Sequence, residues 1–154
     1  MNAYLYLNKI FNLSNKLIYY GLLIVSLPLI FEMNAILMIW LGKTDYQTIL
    51  FSRLILIYTL IMALNNPISI VIQAIGKVKE YHIPVETITL LCVPITYVLF
   101  KLNFPAYSTY IVMIGAAILS HCVRLICLKK FYNHFDYLEY IKSFLIPAVF
   151  ITLF

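Results

Sequence analysis

"LIMALNNPISIVIQAIGK", residues 60–77, sets two adjacent amides, a proline and a glutamine in the middle of an otherwise apolar run. In a water-soluble helix such side chains would face solvent. The rest of the chain leaves little solvent to face: 64% of its residues are hydrophobic and 11% charged, with a mean hydropathy of +0.95. A soluble globular domain carries roughly 25% charged residues. The 154-residue chain therefore reads as an integral membrane protein of the all-α class.

Outward from residues 60–77, the hydrophobic runs separate into five candidate spans, since about 20 apolar residues cross a bilayer as a helix. They cover about 17–41, 49–75, 83–100, 107–128 and 140–154. The last is still apolar at Phe154. Fifteen helical residues rise only ~22 Å, short of a ~30 Å hydrocarbon core. The expectation is a fragment of a longer polypeptide, forming one membrane domain over 1–154. Residues 1–16 contain Lys9, Lys16 and four Asn without the separate apolar region and cleavage site of a signal peptide. They read as a cytoplasmic or interfacial segment.

Lysine and arginine orient the spans. One side collects Lys9, Lys16, Lys77, Lys79, Arg124, Lys129, Lys130 and Lys142, and the other Lys43, Arg53 and Lys101. The richer side is expected in the cytoplasm, so 42–48 and 101–107 lie outside, and 76–82 and 128–137 inside. Tyrosines cluster near these boundaries, with Trp40 as an outer anchor, as in an aromatic belt. The net charge of +5 is spent on these loops. It forms no basic patch with interleaved aromatics, and nucleic acid is not expected as a partner.

Thr59, Asn66, Ser69 and Gln73 follow one another at seven, three and four residues, which places them in one quadrant of a continuous helix, with Gly76 extending the stripe. Pro67 removes a backbone donor and releases a carbonyl near Ala63. Such a face is costly against lipid. Interhelical hydrogen bonds, worth ~0.6 kcal/mol each, account for one amide more easily than for four aligned polar groups, a kink and a glycine. A water-lined path is the preferred reading, with Asn65 beside it. Pro28, Pro67, Pro94 and Gly76 are candidate hinges; prolines in spans are tolerated where neighbours satisfy the released backbone.

The charged residues divide in the same way. Glu32 lies ~22 Å along a span that starts at Leu17. That puts it at the outer interface, with 33–41 as a short interfacial helix. If the span ran unbroken to Leu41, Glu32 would be deep and a candidate coupling carboxylate. Arg53 reads first as a snorkelling residue and second as an attractor of anions. Arg124 sits below Ala116 and Ser120, a small-xxx-small pair that signals close packing. Pro84 is expected in the first turn of the third span, with Glu86 near a positive helix end. His82 and His121 read as interface or core histidines. Cys92, Cys122 and Cys127 form no CxxC, and neither disulfide nor metal is expected. No Walker loop, GxSxG, HExxH or spaced carboxylate pair occurs, so no enzyme activity and no cofactor are expected.

The succession "LPLIFE…ILMIWLG", "NNP…IQAIGKVKEY" and "VPITYVLFKL…P" resembles the Wzx-like O-antigen flippases of lipopolysaccharide biosynthesis. These polysaccharide exporters belong to the multidrug/oligosaccharidyl-lipid/polysaccharide exporter superfamily. The resemblance spans nearly the whole chain and rests on the order of its segments, not on a catalytic signature. It implies part of the C-terminal lobe of a two-lobed transporter, from about the ninth helix onward, whose partners are the N-terminal lobe of the same polypeptide, membrane lipid and a lipid-linked oligosaccharide. Such proteins carry undecaprenyl-pyrophosphate-linked glycans across the bacterial inner membrane by alternating access. Their basic cavity residues bind pyrophosphate, for which Arg53 and Arg124 are the candidates here. A cation-coupled drug exporter of the same superfamily would need Glu32 as its coupling carboxylate. A small membrane scaffold would tolerate leucine at Asn66 and Gln73.

Overall fold

The computed structural model describes the backbone of residues 2–131 and the side chains from Lys9 onward. The fifth expected span, 140–154, and Lys142 and Pro147 lie outside the described residues. Among the described residues six α-helices follow in order: α1 Asn2–Phe31, α2 Met33–Leu41, α3 Tyr46–Ala63, α4 Asn66–Ile75, α5 Val78–Lys101 and α6 Ser108–Phe131. Among the described residues there is no strand. Four stretches of the described residues are long and apolar enough to cross a membrane: Lys9–Phe31, Tyr46–Ile75 (α3 and α4 together), Val78–Lys101 and Ser108–Phe131. The chain is an all-α protein whose helices suggest a multi-pass membrane protein.

The spans depart from their expected limits in instructive ways. Residues 1–16 are not a separate segment, because α1 runs through them from Asn2. Phe11 is buried in the core, and buried Asn15 donates from Nδ2 to the Phe11 carbonyl at 2.8 Å. The helix therefore absorbs the polar residue. The unbroken alternative for 17–41 does not occur: α1 stops at Phe31, Glu32 bends the chain, and α2 occupies 33–41. Gly42 closes α2 at φ 72°, in the left-handed region that suits glycine.

The second span is likewise broken rather than kinked. Leu64 and Asn65 donate to the carbonyls of Ile61 and Met62, a tighter three-residue pattern, and the helix resumes when Ser69 donates to the Asn65 carbonyl. Pro67 has no N–H to return to Ala63, so the chain spends one turn between two helices. The third span begins at Val78 and not at 83. Pro84 consequently lies inside α5, not in its first turn, and Glu86 is eight residues from Val78. Glu80 takes the first-turn position that favours an acid. Pro28 and Pro94 sit inside helices that continue past them.

The helices pack as a row, α1 against α3, α3 against α6 and α6 against α5. The short α4 touches α1, α5 and α6. Ile68 and Ile72 of α4 are fully buried between Tyr81 and Val85 of α5, Leu125 and Leu128 of α6, and Phe11, Tyr19 and Leu23 of α1. One turn of spacing between Ile68 and Ile72 puts both on the same face of α4. Among the described spans α5 is the least covered, with only 6% of its apolar window buried.

Candidate functional site

The break between α3 and α4 gathers the polar residues of the interior. Asn65 occupies the break and is 1% exposed. Its Oδ1 accepts a hydrogen bond from His121 Nδ1 at 2.8 Å. A carboxamide oxygen only accepts, so Nδ1 carries the proton. One turn further along α6, Arg124 reaches the other side of the same helical turn. Its Nη1 donates to Ser69 Oγ at 2.6 Å and to the phenol oxygen of Tyr81. Ser69 Oγ and the Tyr81 hydroxyl are 2.5 Å apart, and Ser69 also donates to the Asn65 carbonyl at 3.0 Å. The guanidinium carbon lies 5.3 Å from the Tyr81 ring centre, within cation–π range. Three helices are thus joined by a set of polar contacts around the one non-helical turn of the span.

The set leaves valences over. His121 Nε2 and Arg124 Nε are buried without a partner, and Arg124 Nη2 donates to no described residue. Among the described residues no carboxylate lies within ion-pair distance of Arg124. A cation that is 9% exposed and has no counter-charge is uncommon, because burying an ion is expensive unless it is paired. Beyond Arg124 a groove of about 580 Å³ opens between α3, α5 and α6. Its walls carry Tyr58 and Met62 of α3, Thr89, Val93 and Thr96 of α5 and Ala116 of α6.

The expected stripe is divided by the break. Thr59, Asn66 and Gln73 are exposed, whereas Ser69 turns inward to Arg124 and Asn65 is enclosed. A single quadrant holding Asn66, Ser69 and Gln73 with Thr59 assumed one continuous helix, and the turn at 64–65 removes that continuity. Gly76 ends α4 at φ 81°, its N–H on the Gln73 carbonyl; it is a helix stop. Arg53 neither snorkels freely nor lines the groove. Its Nε and Nη2 donate to the carbonyls of Ile30 and Phe31, at 3.0 and 3.5 Å, where α1 ends. Glu32, beside that end, is exposed. Tyr81 is one of the boundary tyrosines expected in the aromatic belt, and His121 reads from sequence as an interface or core histidine. His121 is buried, but as part of the polar set. The His121–Arg124 pair, three residues apart on one apolar helix, was the available signal, since i and i+3 share a face.

Three free cysteines occur among the described residues, and no group of three His, Cys, Asp or Glu there is arranged to hold a metal ion. No protein-family model, no curated protein and no solved structure matches the chain.

Proposed function

We propose that the chain is part of the C-terminal lobe of a flippase that moves lipid-linked oligosaccharide across the bacterial inner membrane by alternating access. The observation that carries the reading is the exposure of Thr59, Asn66 and Gln73, spaced by seven residues on the Tyr46–Ile75 span. Polar groups are costly against hydrocarbon, so these three are best placed toward water or a polar partner. A path for a sugar chain needs such a wall, because hydroxyls exchange hydrogen bonds with amides without being held by them. The broken span offers the second requirement. Discontinuous helices at mid-membrane are the elements from which transporters build sites and movements. The sparsely covered α5 gives a surface for a second lobe of the same polypeptide.

The test is reaction of single cysteines with a water-soluble maleimide in intact membranes. Cys92, Cys122 and Cys127 are first replaced by serine. Cysteine at 59, 66 and 73 should react, and cysteine at Val93, 71% exposed on α5, should not. Uniform protection at 59, 66 and 73 overturns the path. In cells that display the glycan, Asn66→Leu and Gln73→Leu should lower display with the protein level unchanged; unchanged display favours a scaffold.

A further inference from the structure

The groove between α3, α5 and α6 has a charge pattern that the transport path does not use. Arg124 and Glu86 both line it. Tyr81, in the first turn of α5, touches Arg124, so Arg124 stands beside the start of α5. Glu86 comes five residues after Tyr81, about 7–8 Å further along α5. The α6 wall of the groove thus presents a cation and the α5 wall an anion. They do not pair with each other. Glu86 has only His82 Nδ1 at 3.7 Å, on a half-exposed turn, and Arg124 has only neutral oxygens. The lysine distribution assigns this end to the cytoplasmic leaflet.

Away from the two charges the groove is mostly apolar, with the hydroxyl-bearing Tyr58, Thr96, Tyr97 and Thr109 also in its lining. Ala116, Ala117 and Ser120 recess the wall of α6 opposite Val93 and Phe100 of α5. Thr89 does not interrupt it, because its hydroxyl is spent on the Val85 carbonyl at 3.2 Å. The volume of about 580 Å³ falls in the range of small-molecule sites. The distance from Arg124 to Thr109, fifteen residues of α6, is about 22 Å, longer than the ~15 Å half-thickness of a hydrocarbon core.

We propose that this groove binds one membrane glycerophospholipid with an amine-bearing headgroup. Arg124 Nη2 meets its phosphate, Glu86 its ammonium, and one acyl chain lies along α5 and α6. A guanidinium suits a phosphate because its donors form a planar fork. Ser69 and Tyr81 hold that fork through Nη1, which leaves Nη2 without a partner among the described residues. The headgroup supplies both missing counter-charges, which a purely anionic lipid does not. The local thinning that accompanies charged residues below the interface brings the headgroup to their level. The inference does not rest on the flippase reading, since a bound phospholipid serves any multi-pass protein with this surface.

The test uses the purified chain in mild detergent, exchanged against mixed micelles of equal parts phosphatidylethanolamine and phosphatidylglycerol and read by native mass spectrometry. The parent should hold one phospholipid, with phosphatidylethanolamine preferred. Arg124→Gln should lower occupancy about tenfold, the scale of one charge-assisted hydrogen bond. Glu86→Gln should abolish the headgroup preference and keep total occupancy. Ala116→Phe fills the recess without touching the polar contacts of Arg124 and should also lower occupancy. Retention of lipid by both Arg124→Gln and Ala116→Phe overturns the proposal, as does a parent that prefers phosphatidylglycerol. A loss confined to Arg124→Gln reports a folding defect and equally overturns it. A lipid-linked glycan held in place of phospholipid also counts against it, while leaving the transport reading standing.

Discussion

The two helix breaks solve one problem in different ways. At Glu32 the α1 chain ends near the surface, and the carbonyls of Ile30 and Phe31 are taken by Arg53 from α3. At Asn65 the break is enclosed, and the contacts that brace it from α6 run from side chain to side chain, through His121 and Arg124. A cation over terminal carbonyls satisfies both the hydrogen bonds and the helix dipole, so the first break is closed. The second is closed only in part: His121 Nε2, Arg124 Nε and Arg124 Nη2 are left over. A satisfied break is structural. A break that keeps unspent donors beside a groove is where a ligand has something to gain.

The sharpest way to break this contrast is Asn65→Leu. It strands the Nδ1 proton of buried His121, and an unsatisfied buried donor costs about 1–3 kcal/mol. The neighbouring exposed Asn66→Leu should cost less than about 0.5 kcal/mol. Unfolding of both variants in mixed detergent micelles measures the difference. Equal costs would remove Asn65 from the interior. Next comes Arg53→Leu, which deprives the end of α1 of both donors and should cost about 1–2 kcal/mol, close to the upper values for a cation at a helix C-terminus. The loss should be local, read as faster hydrogen exchange at 28–41 with residues 60–75 unchanged. Loss of protection at both breaks would show that they are one cooperative unit. Tyr81→Phe ranks third, at about 0.5–1.5 kcal/mol. Arg124 keeps Ser69 as an acceptor and Ser69 keeps Arg124, so the set is weakened without being opened.

The spans were legible because hydrophobic runs need no knowledge of neighbours: length and hydropathy alone mark about 49–75, 83–100 and 107–128, close to the Tyr46–Ile75, Val78–Lys101 and Ser108–Phe131 of the structure. The breaks were half legible. Pro67 announced a missing donor, but the sequence offered no reason to prefer Asn65 over Asn66 as the enclosed amide. Helical spacing carried across 64–65 chose Asn66, and a turn of tighter hydrogen bonds is enough to rotate one side chain inward and the next outward. Arg53 was read against water and lipid, since a partner 22 residues back in the chain leaves no periodic trace. Tyr81 was invisible for the same reason. Its contact with Arg124 joins residues 43 apart, and a tyrosine near a span end looks like any other member of an interfacial belt. Local pattern reports which face of a helix is apolar; it does not report which polar groups meet.

The smallest effect tests the exposed face itself. Thr59 donates its hydroxyl to the Ile55 carbonyl of its own helix at 2.7 Å, so it engages no other element among the described residues. Valine has nearly the same shape and lacks only that local bond. Thr59→Val should therefore change stability by less than about 0.5 kcal/mol, below the ~0.6 kcal/mol typical of one interhelical hydrogen bond in a membrane. If Thr59 borders water, the same variant should slow maleimide reaction of a cysteine placed one turn away at Ile55, because an apolar neighbour lowers local hydration. A stability loss near 1 kcal/mol instead assigns the hydroxyl a partner on another helix. The exposed face would then be an interface like the inner one, and the contrast between an enclosed Asn65 and an open Thr59–Asn66–Gln73 face would dissolve.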